Sequence, residues 1–366
     1  MSSENATSPP HGNEASVVFS KDGAIGHILL NRPKALNALY LPMVDAITAK
    51  LREWENDETV VAIVIEGAGE KAFCAGGDIR GLYDARKRDD DALLDAFYRR
   101  EYCLNNYIAK YPKPYIALMN GITMGGGVGV SVHGHFRVVT ERTLFAMPET
   151  GIGFFPDVGG GYFLSRCPGQ IGLYLGLTGA RINASDCLYA DLATHNVNSE
   201  NIAALKSDLS AIEGGNDPFA AVKKVLDDHH VKGEEGLLNT LRTEIDKLFG
   251  ADTVADIFAA LDASSTDFAK ETAKILRSKS PIAVCVTFEQ IRQGRGMTLA
   301  QDLAMEFRLS QRTVRMPDLF EGVRAVIVDK DHSPKWQHAD IGQVDPRDVA
   351  AYFDLLPEDK ELKLQF

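Results

Sequence analysis

Two glycine-rich turns, three acidic residues in apolar surroundings and one thiol are the parts of this sequence that could do chemistry. Ala75-Gly76-Gly77-Asp78 follows the strand-like Lys71-Ala72-Phe73-Cys74 and precedes a helix, and Gly125-Gly126-Gly127 follows a strand at Tyr115 to Met119 and opens another helix. A turn of this kind at a helix start exposes backbone N–H groups that no intrahelical carbonyl can satisfy. Two such turns facing one point would make a two-donor oxyanion hole, each donor contributing about 2.7–4 kcal/mol to an acyl-transfer transition state. Glycine also serves tight turns and close packing, and for one turn alone that reading is the stronger.

The carboxylates say more. On the helix expected from Asp91, Leu94, Phe97, Leu104 and Ile108 form one stripe, and Glu101 falls on it. A carboxylate facing a core destabilises unless it is paired or used, and an ion pair with a core arginine such as Arg137 is the alternative. Glu149 and Asp157 lie in Met147-Pro148-Glu149-Thr150-Gly151-Ile152-Gly153-Phe154-Phe155-Pro156-Asp157-Val158-Gly159-Gly160-Gly161. Apolar surroundings raise a carboxyl pKa and suit a base or nucleophile near neutrality. Alternatively Glu149 caps a helix and Asp157 starts one at Val158. Cys74 has no basic neighbour in sequence and reads as a small buried residue rather than a nucleophile.

Other chemistries fail on spacing. The triplet at 125–127 lacks the third glycine of a dinucleotide fingerprint, because position 130 is Val, and no GK[ST] occurs. Gly129-Val130-Ser131-Val132-His133 has His where a nucleophile elbow needs Gly. His133-Gly134-His135 is too closely spaced for a helical metal pair, so no metal is expected.

The elements that must position these residues alternate in type. Val17 to Phe19 and Ile25 to Leu30 read as a hairpin, and Val44, Ile47, Leu51 and Trp54 mark a helix from Leu41. Val60 to Ile65 is a β-branched run suited to a strand buried on both faces. Strands and helices alternate to about residue 200, an α/β layered arrangement. Beyond it Pro218 to His230, Glu235 to Phe249, Val254 to Leu261 and Leu299 to Arg315 look helical. The expected organisation is a frayed tail over 1–16, an α/β domain over 17–200 and a mostly helical region over 201–366.

Composition bounds the partners. With 25% charged and 45% hydrophobic residues the chain is that of an ordinary globular protein. Its net charge of −12 disfavours nucleic acid and anionic membranes, and no apolar run approaches the roughly 18 residues of a membrane span. The first sixteen residues contain no Lys or Arg, unlike a secretory or transit peptide. Five scattered cysteines, with no CxxC, suggest reduced thiols and a cytoplasmic location.

Taken together, four segments resemble the crotonase (enoyl-CoA hydratase/isomerase) superfamily: Asn31-Arg32-Pro33-Lys34-Ala35-Leu36-Asn37-Ala38-Leu39, Ala72 to Ile79, Asn120 to Gly127, and Met147 to Gly161. The resemblance implies a spiral of ββα units binding an acyl-CoA, its thioester oxygen held by the amides of Gly77 and Gly126. Hydratases of this superfamily place a Glu where this chain has Gly129. The segments around Gly126 to Gly134, Met147 to Thr150 and Phe155 to Leu164 are instead similar to its 3-hydroxyisobutyryl-CoA hydrolase branch, as are Glu321 to Ala325, Asp329-Lys330 and Ser333 to Trp336. That branch implies thioester hydrolysis, as in valine catabolism, with Glu101, Gly126, Glu149 and Asp157 as substrate and catalytic positions. Glu149 would attack the thioester or activate water, while Asp157 and Glu101 would bind the acyl hydroxyl. CoA would lie against Arg32, Lys34, Ala35, Ala75, Asp78 and Ile79, with no cofactor beyond the CoA of the substrate. Homo-oligomers are common in the superfamily. The alternatives are an enoyl-CoA hydratase or isomerase and a non-catalytic acyl-CoA-binding module.

Overall fold

A computed structural model describes residues 15–212 and 217–364. Of the stretch expected to fray only Ala15 and Ser16 lie within them, and both are tied down: Asn31 donates its backbone N–H to Ser16 O at 2.8 Å and its side-chain amide to Ala15 O at 3.1 Å.

The described residues up to about 200 hold nine strands: β1 (Val17–Asp22), β2 (Ile25–Leu30), β3 (Ala62–Gly67), β4 (Ala72–Cys74), β5 (Tyr115–Met119), β6 (Ile122–Met124), β7 (Phe136–Val139), β8 (Leu144–Ala146) and β9 (His195–Asn196). They form a six-stranded sheet ordered β1-β2-β3-β5-β7-β9 and a three-stranded sheet ordered β4-β6-β8. Only the β1–β2 hairpin is antiparallel. Each of the pairs β3/β4, β5/β6 and β7/β8 gives one strand to each sheet, so the chain climbs as a spiral with both sheets growing in step. The β-branched run in β3 is explained by two cores. Ile63 and Ile65 enter the main one, while Ala62 and Val64 enter a second, shared with Leu205, Leu209, Val222 and Leu226.

Helices α1 (Leu41–Glu55), α2 (Ile79–Lys87), α3 (Asp91–Ala109), α4 (Gly126–Gly129), α5 (Gly160–Leu164), α6 (Ile171–Thr178) and α7 (Ala184–Tyr189) interleave with the strands. Among the described residues beyond about 200 the long elements are helices: α8 (Ile202–Ser210), α9 (Pro218–His229), α10 (Leu237–Phe249), α11 (Val254–Ala263), α12 (Asp267–Arg277), α13 (Pro281–Gly294), α14 (Leu299–Thr313), α15 (Pro317–Val323) and α16 (Pro346–Tyr352). Helices α12 and α13 went unread in the sequence, although Thr266 and Ser280 cap their first turns and Pro281 opens the second. The change to helix near residue 200 does not divide the packing. Phe73 of β4 and Phe307 of α14 belong to one hydrophobic cluster.

Candidate active site

The small sheet decides where the site lies. β4 pairs with β6 and β6 with β8, all parallel, so the segments leaving the three strands emerge side by side at one edge. Those segments are the turn at Gly76-Gly77, the turn at Gly125-Gly126 and the loop that begins at Met147-Pro148-Glu149. Ligand sites outside the carboxyl ends of parallel strands follow from this layout. Gly76 and Gly125 take φ of +118° and +48°, values that L side chains rarely adopt.

Residues 31–39 hold the first turn. Leu39 N–H donates to Gly76 O at 2.8 Å and Asp78 N–H to Leu39 O at 2.7 Å. The fully buried Asn37 donates to Ala68 O and Ala72 O at 3.0 and 2.9 Å, which fixes that loop on the strand. A Cβ on Gly126 would stand 3.3 Å from the Gly77 nitrogen, so the turns meet. Among the described residues neither the Gly77 N–H nor the Gly126 N–H finds an acceptor. Two unsatisfied donors side by side are the requirement for binding a developing oxyanion.

Three carboxyls surround that point. Glu101, Glu149 and Asp157 are 2%, 7% and 7% exposed. The same Cβ on Gly126 would lie 2.6 Å from Glu101 Oε1, and one on Gly125 would lie 3.2 Å from Glu149 Oε1. Glu101 Oε1 and Glu149 Oε2 are buried without a hydrogen-bond partner. Burial raises all three pKa values, and the Asp157 charge pushes those of Glu101 and Glu149 further. Asp157 itself rises to about 7, held back by the Tyr102 hydroxyl, which donates to Oδ2 at 3.0 Å. Lys279 is the cation whose charge favours ionised Glu149.

The structural alternatives for these acids are not what the geometry holds. Glu101 forms no ion pair among the described residues, and Arg137 turns to Gly134 O and Asp191. Asp157 caps nothing; Gly159 opens α5. Glu149 heads a short 3-10 turn, Glu149–Ile152, without capping it. The Cys74 thiol donates to Gly76 O, and burial pushes it up to about 12, so it is not a nucleophile at neutral pH. Position 129 is sealed: a Cβ on Gly129 would meet Val158 Cβ at 2.7 Å and Asn105 Nδ2 at 2.8 Å.

All of this opens into a cavity of about 860 Å³ that Ala35, Ala75, Asp78 and Ile79 also line. Arg32 and Lys34 do not line it. Arg32 pairs with Asp78 at 3.0 Å, donates to Ala38 O and packs over the Tyr40 ring, while Lys34 is exposed. The cations that do line it are Arg80, Arg181, Arg277 and Lys279, three of them from beyond residue 180 and none with a local pattern to mark it.

A spiral of ββα units with two free amides and a buried carboxylate at one edge defines a class. The Enoyl-CoA hydratase/isomerase family description matches residues 25–353, and the chain belongs to that family. Within it, the protein named 3-hydroxyisobutyryl-CoA hydrolase, mitochondrial, of Danio rerio is 48% identical over 355 residues, 96% of this chain and 92% of that one. Its namesake in Homo sapiens is 46% identical over 93% of this chain and 89% of that one. Among solved structures, a carnitinyl-CoA dehydratase from Mycobacterium thermoresistibile superposes with a TM-score of 0.90 at 42% identity, covering 96% of this chain and 99% of that one. An enoyl-CoA hydratase from Rhodobacter sphaeroides gives 0.88 at 40% identity over 95% and 100%. The hydrolase relatives are named as mitochondrial, which overturns the cytoplasmic location expected from the cysteines. All five cysteines are free, but free thiols report a reducing environment without saying which one.

Proposed function

We propose that this chain hydrolyses 3-hydroxyisobutyryl-CoA to the free hydroxy acid and CoA. The observation that carries the reading is the pair of unsatisfied amides, Gly77 and Gly126, beside the Glu149 carboxylate, whose Oε2 is buried without a partner. The names of the hydrolase relatives, at 46–48% identity, supply the substrate.

In this reading the thioester oxygen accepts from both amides, and Glu149 delivers the nucleophile, either by attacking the carbonyl carbon or by taking a proton from water. Heavy oxygen from solvent, recovered in the Glu149 carboxylate after a single turnover, marks the covalent route. Asp157 and Glu101 receive the acyl hydroxyl. The CoA phosphates meet Arg80, Arg181, Arg277 or Lys279, cations that a chain of net charge −12 has to place individually.

The two solved relatives carry dehydratase and hydratase names, which makes enoyl-CoA hydration the competing reading. Against it stands the sealed position 129, where hydratases keep their other carboxylate. Incubation with 3-hydroxyisobutyryl-CoA and a thiol reagent should release CoA faster than crotonyl-CoA loses its enoyl absorbance. The opposite order overturns the proposal.

A further inference from the structure

Behind Asp157 lie two acids that this chemistry does not use. Asp302 and Glu306, one turn apart on α14, are fully buried and form no ion pair among the described residues. Both carboxylates face the glycine run 159–161. Glu306 accepts from Gly159 N–H at 2.7 Å and from Gly161 N–H at 3.0 Å, and Asp302 accepts from Tyr162 N–H at 2.9 Å. Gln290 of α13 bridges the group, donating to Glu306 at 2.9 Å and to Pro156 O at 2.7 Å.

The backbone they grip is strained. Val158 has φ +53° and Gly159 +90°. For a β-branched residue that region is a true outlier, and strain of this kind persists only where the surroundings over-determine it. His133 adds the remaining tether, its Nε2–H donating to Val158 O at 2.6 Å. The tethers lie on both sides of the residue that presents its carboxylate to the cavity: Pro156 before Asp157, Val158 and Gly159 after it. The glycines are part of the same device, since a side chain at 161 would collide with Asp302.

We propose that Glu306, supported by Asp302 and Gln290, is a positioning residue that clamps the strained turn after Asp157 and so fixes that carboxylate at the acyl group. The proposal rests on the reading that Asp157 works on the substrate. The helical half would then act in the chemistry through the backbone of the α/β half.

The test compares Glu306→Gln, Gln290→Met and the double variant Glu306→Gln with Val158→Gly. Glu306→Gln should lower kcat for the thioester by about tenfold or more while KM stays within about twofold, as misplacing a catalytic group does. It should also speed amide hydrogen exchange over 157–163 in the free protein. Val158→Gly in that background should recover part of kcat, because glycine holds a positive φ without a clamp. A purely structural Glu306 would lower the melting temperature, leave kcat per folded molecule intact and give no rescue. Unchanged exchange, or faster exchange with wild-type kcat, overturns the proposal. If Glu306→Gln does not fold, the same two readouts on Gln290→Met decide it. A wild-type protein that releases no CoA counts against the function, whereas the exchange measurement judges the clamp regardless.

Discussion

At the scale of single residues, the site sets one ionisable group against its own burial. In the proposed mechanism Glu149 needs its charge to act, yet burial and the Asp157 charge both oppose ionisation, while a backbone hydrogen bond and the Lys279 charge favour it. Glu149→Gln keeps the shape and removes the charge. General-base and nucleophilic roles alike predict that CoA release falls by about 10²–10⁴-fold. Binding of CoA, measured by titration calorimetry, should persist, because its lining contacts are elsewhere in the cavity. A non-catalytic binding module would show no activity to lose. Glu101 could be seen in the sequence because helical periodicity places it on an apolar stripe. Lys279 could not: it lies between α12 and α13, two helices that went unread, and only tertiary packing brings it to Glu149. Arg32 stands outside the cavity lining. The resemblance places CoA against it, and in the structure its guanidinium secures Asp78, the cap of α2.

At the scale of elements, α4 is a four-residue helix wedged between β4 and the loop after Pro156. Three of its residues are glycine because there is no space for more: a side chain at Gly127 would collide with Cys74 O, and one at Gly129 with Val158. The glycine cluster and its helix were legible as a strand-turn-helix unit. What no local pattern carries is that β4, β6 and β8 are neighbours in a separate small sheet, since short parallel strands pair across long sequence gaps. This wedge bears on hydrolysis against hydration. Gly129→Glu restores the residue that the resemblance assigns to hydratases, but overpacking should lower stability by about 1–3 kcal/mol in urea unfolding. Crotonyl-CoA should still not be hydrated, because the new side chain enters the space of Val158 rather than the cavity. Gain of hydratase activity would contradict the account of position 129.

At the scale of the whole molecule, five of the buried carboxyls, those at and behind the site, tie stability to pH. Glu101, Glu149, Asp157, Asp302 and Glu306 all have pKa values raised mainly by burial, Asp157 and Asp302 to about 7. Between their unfolded values near 4 and these folded values the native state binds more protons than the unfolded chain. Stability from these groups is therefore complete below about pH 4; for Asp157 and Asp302 it declines as pH rises through about 7, and for the three glutamates as pH rises through their own raised values. The proposed mechanism runs the other way, since in it Glu149 acts only when ionised. Hydrolysis should accordingly gain rate over the pH range in which the fold loses stability. Amide replacements separate the two effects. Asp157→Asn should leave the melting temperature near that of the wild type at pH 5, where the acid is mostly protonated, and raise it relative to the wild type at pH 8, where the wild type must bury the charge. Calorimetric melts of both proteins at the two values check this. An equal difference at both would mean that Asp157 titrates as an ordinary surface carboxyl, and the burial that sets up the site would lose its electrostatic role.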